Sequence, residues 1–524
     1  MSSSAVEQAG GEDERALSAR SESSRVGRLL DNGVVVWLFA LAFFAPQSIA
    51  ATQVSWFCGL LLWGVRLALR PRARLRREAV DYALLAFFIL TFISSLFSYE
   101  QTESLGKLRG ASLFTIVYLV AYNARSRRVL RGLVIVLVAS CMITVVYTLA
   151  ERAVGRGVKV AGVKQESPLA AAVFRNGRVL TPTPIQSGDT LLEVDGRKVR
   201  SPEEVVAALD AGNAAADGRG LARVKIYRVE WMPVLEVERG RLLPGATALE
   251  RLGVENWSRG RDWRAAGFYG HYVTYAEALQ LIASLAFGLL IASRRKRGLR
   301  GVLLLLAVAG LCAGLLLTVT RASWLAFLVS ASVIVLMGTS RRTAIVVAGC
   351  ALPLVLGGWL ILKQQRRVGF YDESDQSVTW RQTVWRESFG LLTKEPRHLA
   401  VGVGMDSLKR HWREWGLFEG GKIPVGHLHS TPLQLAVERG LPALAAWLLL
   451  VALYARTLWR LLRSAALDDW IERGLVLGAL GGLAGFFTSG LVHYNLGDSE
   501  VAMIFYFIMG LSLALERQRE KAEG

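Results

Sequence analysis

The sequence predicts an all-α polytopic membrane protein of about twelve transmembrane helices, with an inserted periplasmic α+β domain. Hydrophobic residues make up 52% of the 524 residues, and the mean hydropathy is +0.34, which is more apolar sequence than one soluble core needs. The apolar residues gather into blocks of about 20, the length with which a helix crosses a hydrocarbon core of about 30 Å. Basic residues recur in every second connection between these blocks.

Twelve apolar blocks have the length of a transmembrane helix. They lie at 33–50, 53–69, 80–98, 111–124, 130–150, 272–293, 301–319, 322–338, 343–362, 441–462, 473–493 and 499–515. Two long segments interrupt the series, after the fifth block and after the ninth. The pattern therefore predicts a helical membrane region with two large extramembrane segments.

The connections that follow even-numbered blocks are basic. They contain Arg66–Arg77, Arg125–Arg131, Arg294–Arg297, Arg341–Arg342 and Arg456–Arg463. Because Lys and Arg in short connections stay in the cytoplasm, both termini are predicted inside and the two long segments outside, in a bacterial inner (cytoplasmic) membrane. The same bias explains much of the +19 net charge, so we predict contact with membrane lipids and none with nucleic acid.

These signals divide the chain into eight segments. They are a disordered cytoplasmic tail (1–30), transmembrane helices 1–5 (31–150), a periplasmic inserted domain (151–240), a periplasmic connection (241–271), transmembrane helices 6–9 (272–362), a large periplasmic loop (363–440), transmembrane helices 10–12 (441–515) and a second cytoplasmic tail (516–524).

The inserted segment has strand-like runs that flank a helix opened by Ser201, an N-cap with Glu204 at the capping-box position. Its Ser167–Ala171, Gly188–Leu192 and Asp195–Val199 runs resemble a bacterial PDZ domain, and the Asp195-Gly196 pair predicts a tight turn. The resemblance implies a peptide or protein ligand bound by strand addition. A packing or spacer module is the alternative.

Three segments at the predicted outer ends of helices carry ionisable residues, which are costly near lipid and tend to face a cavity. The first contains Arg321 and Leu325, the second Arg381 and the Gly402-Val403-Gly404 run, and the third His429-Ser430 and Gly440, with nine residues between Ser430 and Gly440. Together the Arg-x-x-x-Leu and His-Ser-x9-Gly patterns resemble the O-antigen ligase family. The resemblance implies a membrane glycosyltransferase that moves an undecaprenyl-diphosphate-linked glycan to an acceptor such as lipid A core on the periplasmic face.

The chemistry of that reaction suggests a role for each residue. A diphosphate carries concentrated negative charge, which the planar donor fork of Arg321 or Arg381 suits. The acceptor hydroxyl needs a proton acceptor, and His429 is the candidate catalytic residue. Direct attack at the anomeric carbon inverts its configuration, and we expect neither a metal nor another cofactor. An interfacial anchor is the alternative reading for either arginine.

Three further residues are candidates for lining the same cavity. His271 opens the sixth block, and Gln434 and Glu438 are four apart, so that a helix would place them on one face. His427 and His429 lie two apart, but no Cys, Asp or Glu lies close enough in sequence to complete a metal site.

Other functions remain open from the sequence. An O-antigen or exopolysaccharide polymerase, or a protein O-oligosaccharyltransferase, shares the topology and the outer-loop chemistry. A transporter or a membrane scaffold that recruits partners through the PDZ-like domain is the alternative that is not an enzyme.

Overall fold

The computed structural model describes residues 25–69, 78–176, 179–211, 220–228, 231–293, 298–345, 349, 356, 376–464, 467 and 469–523. The chain forms two compact units. The helical unit comprises residues 1–145 and 266–524, and the inserted unit comprises residues 146–265.

Helices make up most of the first unit, and two short helices lie in the inserted unit. They are α1 (Arg25–Phe44), α2 (Ile49–Ala68), α3 (Ala79–Leu96), α4 (Gln101–Ala111), α5 (Thr115–Asn123) and α6 (Arg127–Val154), then α7 (Pro202–Ala211) and α8 (Ala248–Leu252) of the inserted unit, then α9 (Tyr272–Ala292), α10 (Leu299–Leu317), α11 (Arg321–Gly338), α12 (Gln376–Lys394), α13 (Pro396–Val401), α14 (Ser407–His411), α15 (Thr431–Arg463), α16 (Trp470–Gly490) and α17 (Ser499–Glu523).

Ten helices in the described part of the chain are long and apolar enough to cross a membrane. The predicted class, a mostly helical polytopic membrane protein, is confirmed in this form. The second predicted block corresponds to α2, which is not among the ten. Most of the ninth block, 343–362, and residues 1–24 of the predicted tail lie outside the described residues. The count of twelve therefore stays a prediction.

Helices α9, α11 and α16 pack closely because small residues let their backbones approach. A Cβ atom on Gly288 of α9 would lie 2.4 Å from the backbone nitrogen of Gly478 in α16. A Cβ on Gly485, further along α16, would meet side chains of both α9 and α11. Gln280 Nε2 of α9 also donates to Ser330 Oγ of α11 at 2.8 Å.

These contacts fix the directions of the three helices. Gln280 lies level with Gly485, whereas Gly288 lies level with Gly478, so α9 and α16 are antiparallel. Helix α11 runs parallel to α9, since Gly338 at its end packs on Leu477 of α16. The first residues of α9 and α11 and the last residues of α16 consequently lie at one end of the bundle. We call it the site end.

The inserted unit is built on one antiparallel sheet. Its strands are β1 (Arg156–Val163), β2 (Val173–Asn176), β3 (Val179–Pro182), β4 (Thr190–Val194), β5 (Arg197–Lys198), β6 (Leu221–Tyr227), β7 (Val234–Glu238) and β8 (Val254–Gly260). The order is β3-β2-β7-β6-β4-β1-β8, and β5 pairs with β4. Alternate residues of β6 and other strands form an apolar core with α7 and α8, which includes Val158, Leu169, Leu191, Val205, Leu209, Val224, Ile226, Leu235, Val237 and Leu252.

A tight turn and a helix N-cap of this unit were predicted from the sequence. Asp195 and Gly196 have φ values of +49° and +78° and join β4 to β5, which confirms the predicted tight turn. Glu204 N donates to Ser201 Oγ at 3.4 Å, as an N-cap requires. The Glu204 carboxylate accepts from Arg200 N, whereas in a capping box it would accept from the amide of the N-cap residue, Ser201. The PDZ assignment itself stays a prediction.

The sheet continues past residue 240, where the sequence placed the end of the domain. Strand β8 pairs with β1 over Arg156 to Val163, and Leu252 and Val254 are buried in the core. We expect a fragment of residues 155–262 to unfold cooperatively in urea. A fragment of residues 155–240 should be less stable by at least about 3 kcal/mol, because each buried aliphatic side chain contributes about 1.5–3 kcal/mol. Circular dichroism measures both, and equal free energies of unfolding would contradict the assignment of β8.

Candidate functional site

The His429 backbone is held in an unusual conformation. Its φ of +49° lies in the left-handed region, which is uncommon for a residue with a Cβ. The preceding residue is fixed on both sides, because Leu428 N donates to Gln434 Oε1 at 2.7 Å and Leu428 O accepts from Trp385 Nε1 at 2.8 Å. Contacts from α15 and α12 therefore impose the position of the histidine.

The His429 ring stands between two other rings. The ring of His427 lies 4.2 Å away between centroids, and the Trp380 ring meets His429 edge-on at 4.4 Å. The amide of His429 donates to His427 Nδ1 at 3.3 Å. His427 Nδ1 is thus the acceptor nitrogen of that ring, and a neutral His427 carries its hydrogen on Nε2.

Burial and neighbouring ionisable groups keep His429 neutral. Burial lowers the pKa of His429 to about 2, and the charges of His427, Arg381, His493 and His271 lower it further in the same direction. A positive charge on the half-buried His429 ring is disfavoured, and more so with Arg381 nearby. The His429 imidazole is therefore neutral at pH 7 in the protein alone, with a nitrogen that can accept a proton.

The residues after His429 form the start of α15. Ser430 is the N-cap, with Oγ accepting from Leu433 N. Thr431 N donates to the carbonyl oxygen of His493 at 3.0 Å, and Thr431 Oγ1 donates to Asn495 Oδ1 at 2.8 Å. These bonds join the His429-Ser430 motif to the turn between α16 and α17, at the site end.

Gly440 divides α15 into two helices. Its φ of +83° interrupts the helical backbone, and Pro442 has no N–H for the carbonyl of Glu438. Other donors replace the missing helical bonds: Gly404 N and Ser94 Oγ donate to Glu438 O at 2.8 and 2.9 Å. A Cβ on Gly440 would lie 2.5 Å from Ala400 O, so only glycine fits there.

The Gly402-Val403-Gly404 run crosses this break. Val403 N donates to the carbonyl of Val437 at 2.9 Å, which is the other acceptor that the break exposes. Gly402 has a φ of +73°, and a Cβ there would lie 2.4 Å from the Glu438 backbone. The two glycine motifs of the sequence therefore meet in one structure. It is the break in α15 at Gly440, whose exposed carbonyl groups accept hydrogen bonds from residues 403 and 404.

The two candidate residues in the first half of α15 support the backbone. Gln434 accepts from Leu428 N, as described above. Glu438 is buried, and its Oε1 accepts from Asp406 N at 3.0 Å. Their spacing of four residues does put them on one face, because the two side chains also interact with each other. That they line a cavity stays a prediction.

The remaining candidates also lie at the site end. Arg381 is in α12, next to Trp380, and its charge acts on His429. Arg321 is the first residue of α11. His271 is the N-cap of α9, with Nδ1 3.3 Å from Thr274 Oγ1. The structure thus brings His271 and Arg381 within electrostatic reach of His429 and places Arg321 at the same end of the bundle.

Some residues of this region were missed as site candidates from the sequence. Glu277 and Arg439 are buried, and the first is an isolated acid in an apolar block. Arg439 NH2 lies 3.3 Å from Tyr494 Oη, and the Tyr494 ring faces His427 at 6.1 Å. An ionisable residue inside an apolar block is itself a signal for a functional site. Among the described residues, no group of three or more His, Cys, Asp or Glu is arranged to hold a metal ion.

The fold and the site define a polytopic membrane protein with a histidine and arginines gathered at one end of its helices. Residues 305–448 match the family described as O-antigen ligase. The match includes Arg321, Arg381, His429 and Gly440 and confirms the predicted family resemblance. No curated protein matches the chain. The family implies a glycosyltransferase-type membrane enzyme whose partners are a lipid-linked glycan and an acceptor.

Proposed function

We propose that the protein transfers a glycan from an undecaprenyl-diphosphate carrier to an acceptor hydroxyl, lipid A core or a similar one, by a metal-independent inverting mechanism. The observation that carries this proposal is the placement of His429, which two neighbouring helices hold next to Trp380 and within electrostatic reach of Arg381. All of these residues lie in the segment that matches the ligase family.

The donor would bind through its diphosphate. Two guanidinium groups, of Arg381 near His429 and of Arg321 at the start of α11, supply planar pairs of donors for phosphate oxygens. The rigid donor fork of an arginine matches the geometry of a phosphate group. The charge of Arg381, which disfavours protonation of His429, is favourable for a dianionic leaving group.

His429 would act as the general base. In the protein alone its low pKa makes the neutral imidazole a weak base. A bound diphosphate places negative charge nearby, which raises the pKa of the imidazole and strengthens it as a base. The acceptor hydroxyl gives its proton to His429 while its oxygen attacks the anomeric carbon. The bond from that carbon to the diphosphate oxygen breaks on the opposite face, and the configuration inverts.

We also propose the orientation and the role of the inserted unit. The alternation of basic connections favours a site end that faces the periplasm of a bacterial inner membrane. The sheet and helices of residues 156–260 are compatible with a PDZ-like module that binds a peptide or protein, which would regulate or recruit and would not catalyse.

The decisive experiment gives the purified protein a defined undecaprenyl-diphosphate glycan and candidate acceptors, with a chelator present. A glycan joined to a lipid A core acceptor, with release of undecaprenyl diphosphate, is the expected product. Extension of the lipid-linked glycan itself would identify a polymerase, and transfer to a serine or threonine peptide would identify a protein O-oligosaccharyltransferase. If no transfer occurs and labelled donor crosses the membrane of proteoliposomes, the protein is a transporter.

A further inference from the structure

A buried carboxylate and a buried imidazole meet beside the His429 motif. Glu277 lies in the second turn of α9 and His493 in the turn between α16 and α17. Glu277 Oε1 and His493 Nδ1 are 2.9 Å apart, and the two side chains are 2% and 7% exposed. Glu277 Oε2 is buried without a hydrogen-bond partner in the described part of the chain. Burying an acidic side chain costs free energy of folding, so a buried pair of this kind is a candidate for a functional role.

The pair is joined directly to the catalytic segment. The carbonyl oxygen of His493 accepts from Thr431 N at 3.0 Å, and Thr431 Oγ1 lies 3.1 Å from the same oxygen. Thr431 is two residues from His429. The side chain of His493 is therefore anchored to α9 while its backbone holds the first turn of α15.

Electrostatics link the same residues. The charge of His493 is among those that lower the pKa of His429. Glu277 stands beside His493 on the other side, with Asp498 close enough to interact with it. The contact with Glu277 thus fixes where the His493 ring stands relative to His429.

We infer that Glu277 and His493 form a hydrogen-bonded pair that positions His429 during transfer. The inference rests on the proposed function. Glu277 and His493 are positioning residues here, because they act through Thr431 and through the field at His429, and no bond to substrate is required of them. No proton leaves the pair in the reaction itself, since the acceptor proton goes to His429.

The test is Glu277→Gln in the full-length protein. Glutamine keeps the volume and an oxygen acceptor but lacks the ionisable carboxyl group. We expect kcat to fall about tenfold to hundredfold, the range that a small misplacement of a catalytic group produces, with a much smaller change in the KM for the lipid-linked donor. The acid limb of the kcat profile should also move, because a His493 ring released from Glu277 changes the electrostatic surroundings of His429.

Other charged groups also face His429, and they are unchanged in this variant: His427, His271 and Arg381. A purely structural role for Glu277 would lower kcat equally at all pH values. A wild-type profile and kcat in a folded Glu277→Gln protein would overturn the inference. If that variant is not recovered folded, as judged by its thermal midpoint, His493→Gln takes its place with the same readouts and the same criteria.

The matched control is Glu472→Gln. Glu472 is as deeply buried as Glu277 but lies at the start of α16, at the opposite end from His493, beside Arg127. Its substitution should leave kcat per folded molecule and the pH profile unchanged. Activity of the wild-type protein separates the two proposals. If the wild type performs no transfer, the proposed function fails, whereas an active wild type with an unaltered Glu277→Gln variant removes this inference alone.

Discussion

His429→Ala is expected to abolish glycan transfer, with a loss of about 10²–10⁴-fold, the contribution typical of a general base. The variant should still bind the lipid-linked donor, because the arginines that would hold the diphosphate are unchanged. Its stability should fall little, since alanine removes only the ring contacts with Trp380 and His427. The measurement is turnover of a defined donor by purified protein, compared with donor binding under the same conditions.

His411→Ala is a suitable control for this variant. The His411 ring also stacks on a tryptophan, Trp415, at 5.1 Å, and it bonds to two glutamates. It lies in α14, and its glutamate partners, Glu100 and Glu414, are outside the segment that contains His429. Loss of aromatic packing alone would affect both variants alike. Near-normal turnover by His429→Ala would remove this residue from the mechanism.

Arg321→Lys is expected to reduce turnover by about 10²–10³-fold, as loss of a positioned donor to a developing negative charge does. Lysine keeps the positive charge but replaces a planar fork with a single point of charge, so phosphate geometry is lost. Arg381→Lys should behave similarly. The KM for the donor should rise in both variants, because the diphosphate is present in the ground state as well.

An interfacial anchor predicts a different result, because lysine serves that purpose as well as arginine. Arg342→Lys provides the comparison. Arg342 is exposed and follows the opposite end of α11, and its substitution should not change turnover. If Arg321→Lys behaves like Arg342→Lys, then Arg321 is an anchor, and the family resemblance remains without this part of the mechanism.

The sequence predicted the helices better than the site. Apolar blocks of membrane length are a strong and local signal, and the helices α9, α10, α11 and α16 lie close to the predicted blocks. The function of Gly440 was visible only as a motif position. Its structural reason, the close approach of residues 400–404, depends on a contact across nearly forty residues that no local pattern encodes.

Two other features escaped the sequence for physical reasons. Strand β8 has the sequence Val-Glu-Asn-Trp-Ser-Arg-Gly, which lacks a regular alternation of apolar and polar residues, so its pairing with β1 was not predicted. Glu277 was hidden in an apolar block that fitted a membrane helix. Its importance depends on His493, which lies far away in the sequence and close in space.

The break at Gly440 has a consequence for how the protein meets its bilayer. The first half of α15 is bonded to residues 403 and 404 and to the turn at His493, whereas the second half, from Leu441 to Arg463, has the length of a membrane span. A thicker or thinner bilayer changes the tilt of a spanning helix. Because no helical hydrogen bond joins Glu438 to Pro442, such a change of tilt can be absorbed at the break without displacing His429. We therefore expect the geometry around His429 to depend little on the lipid composition around the protein.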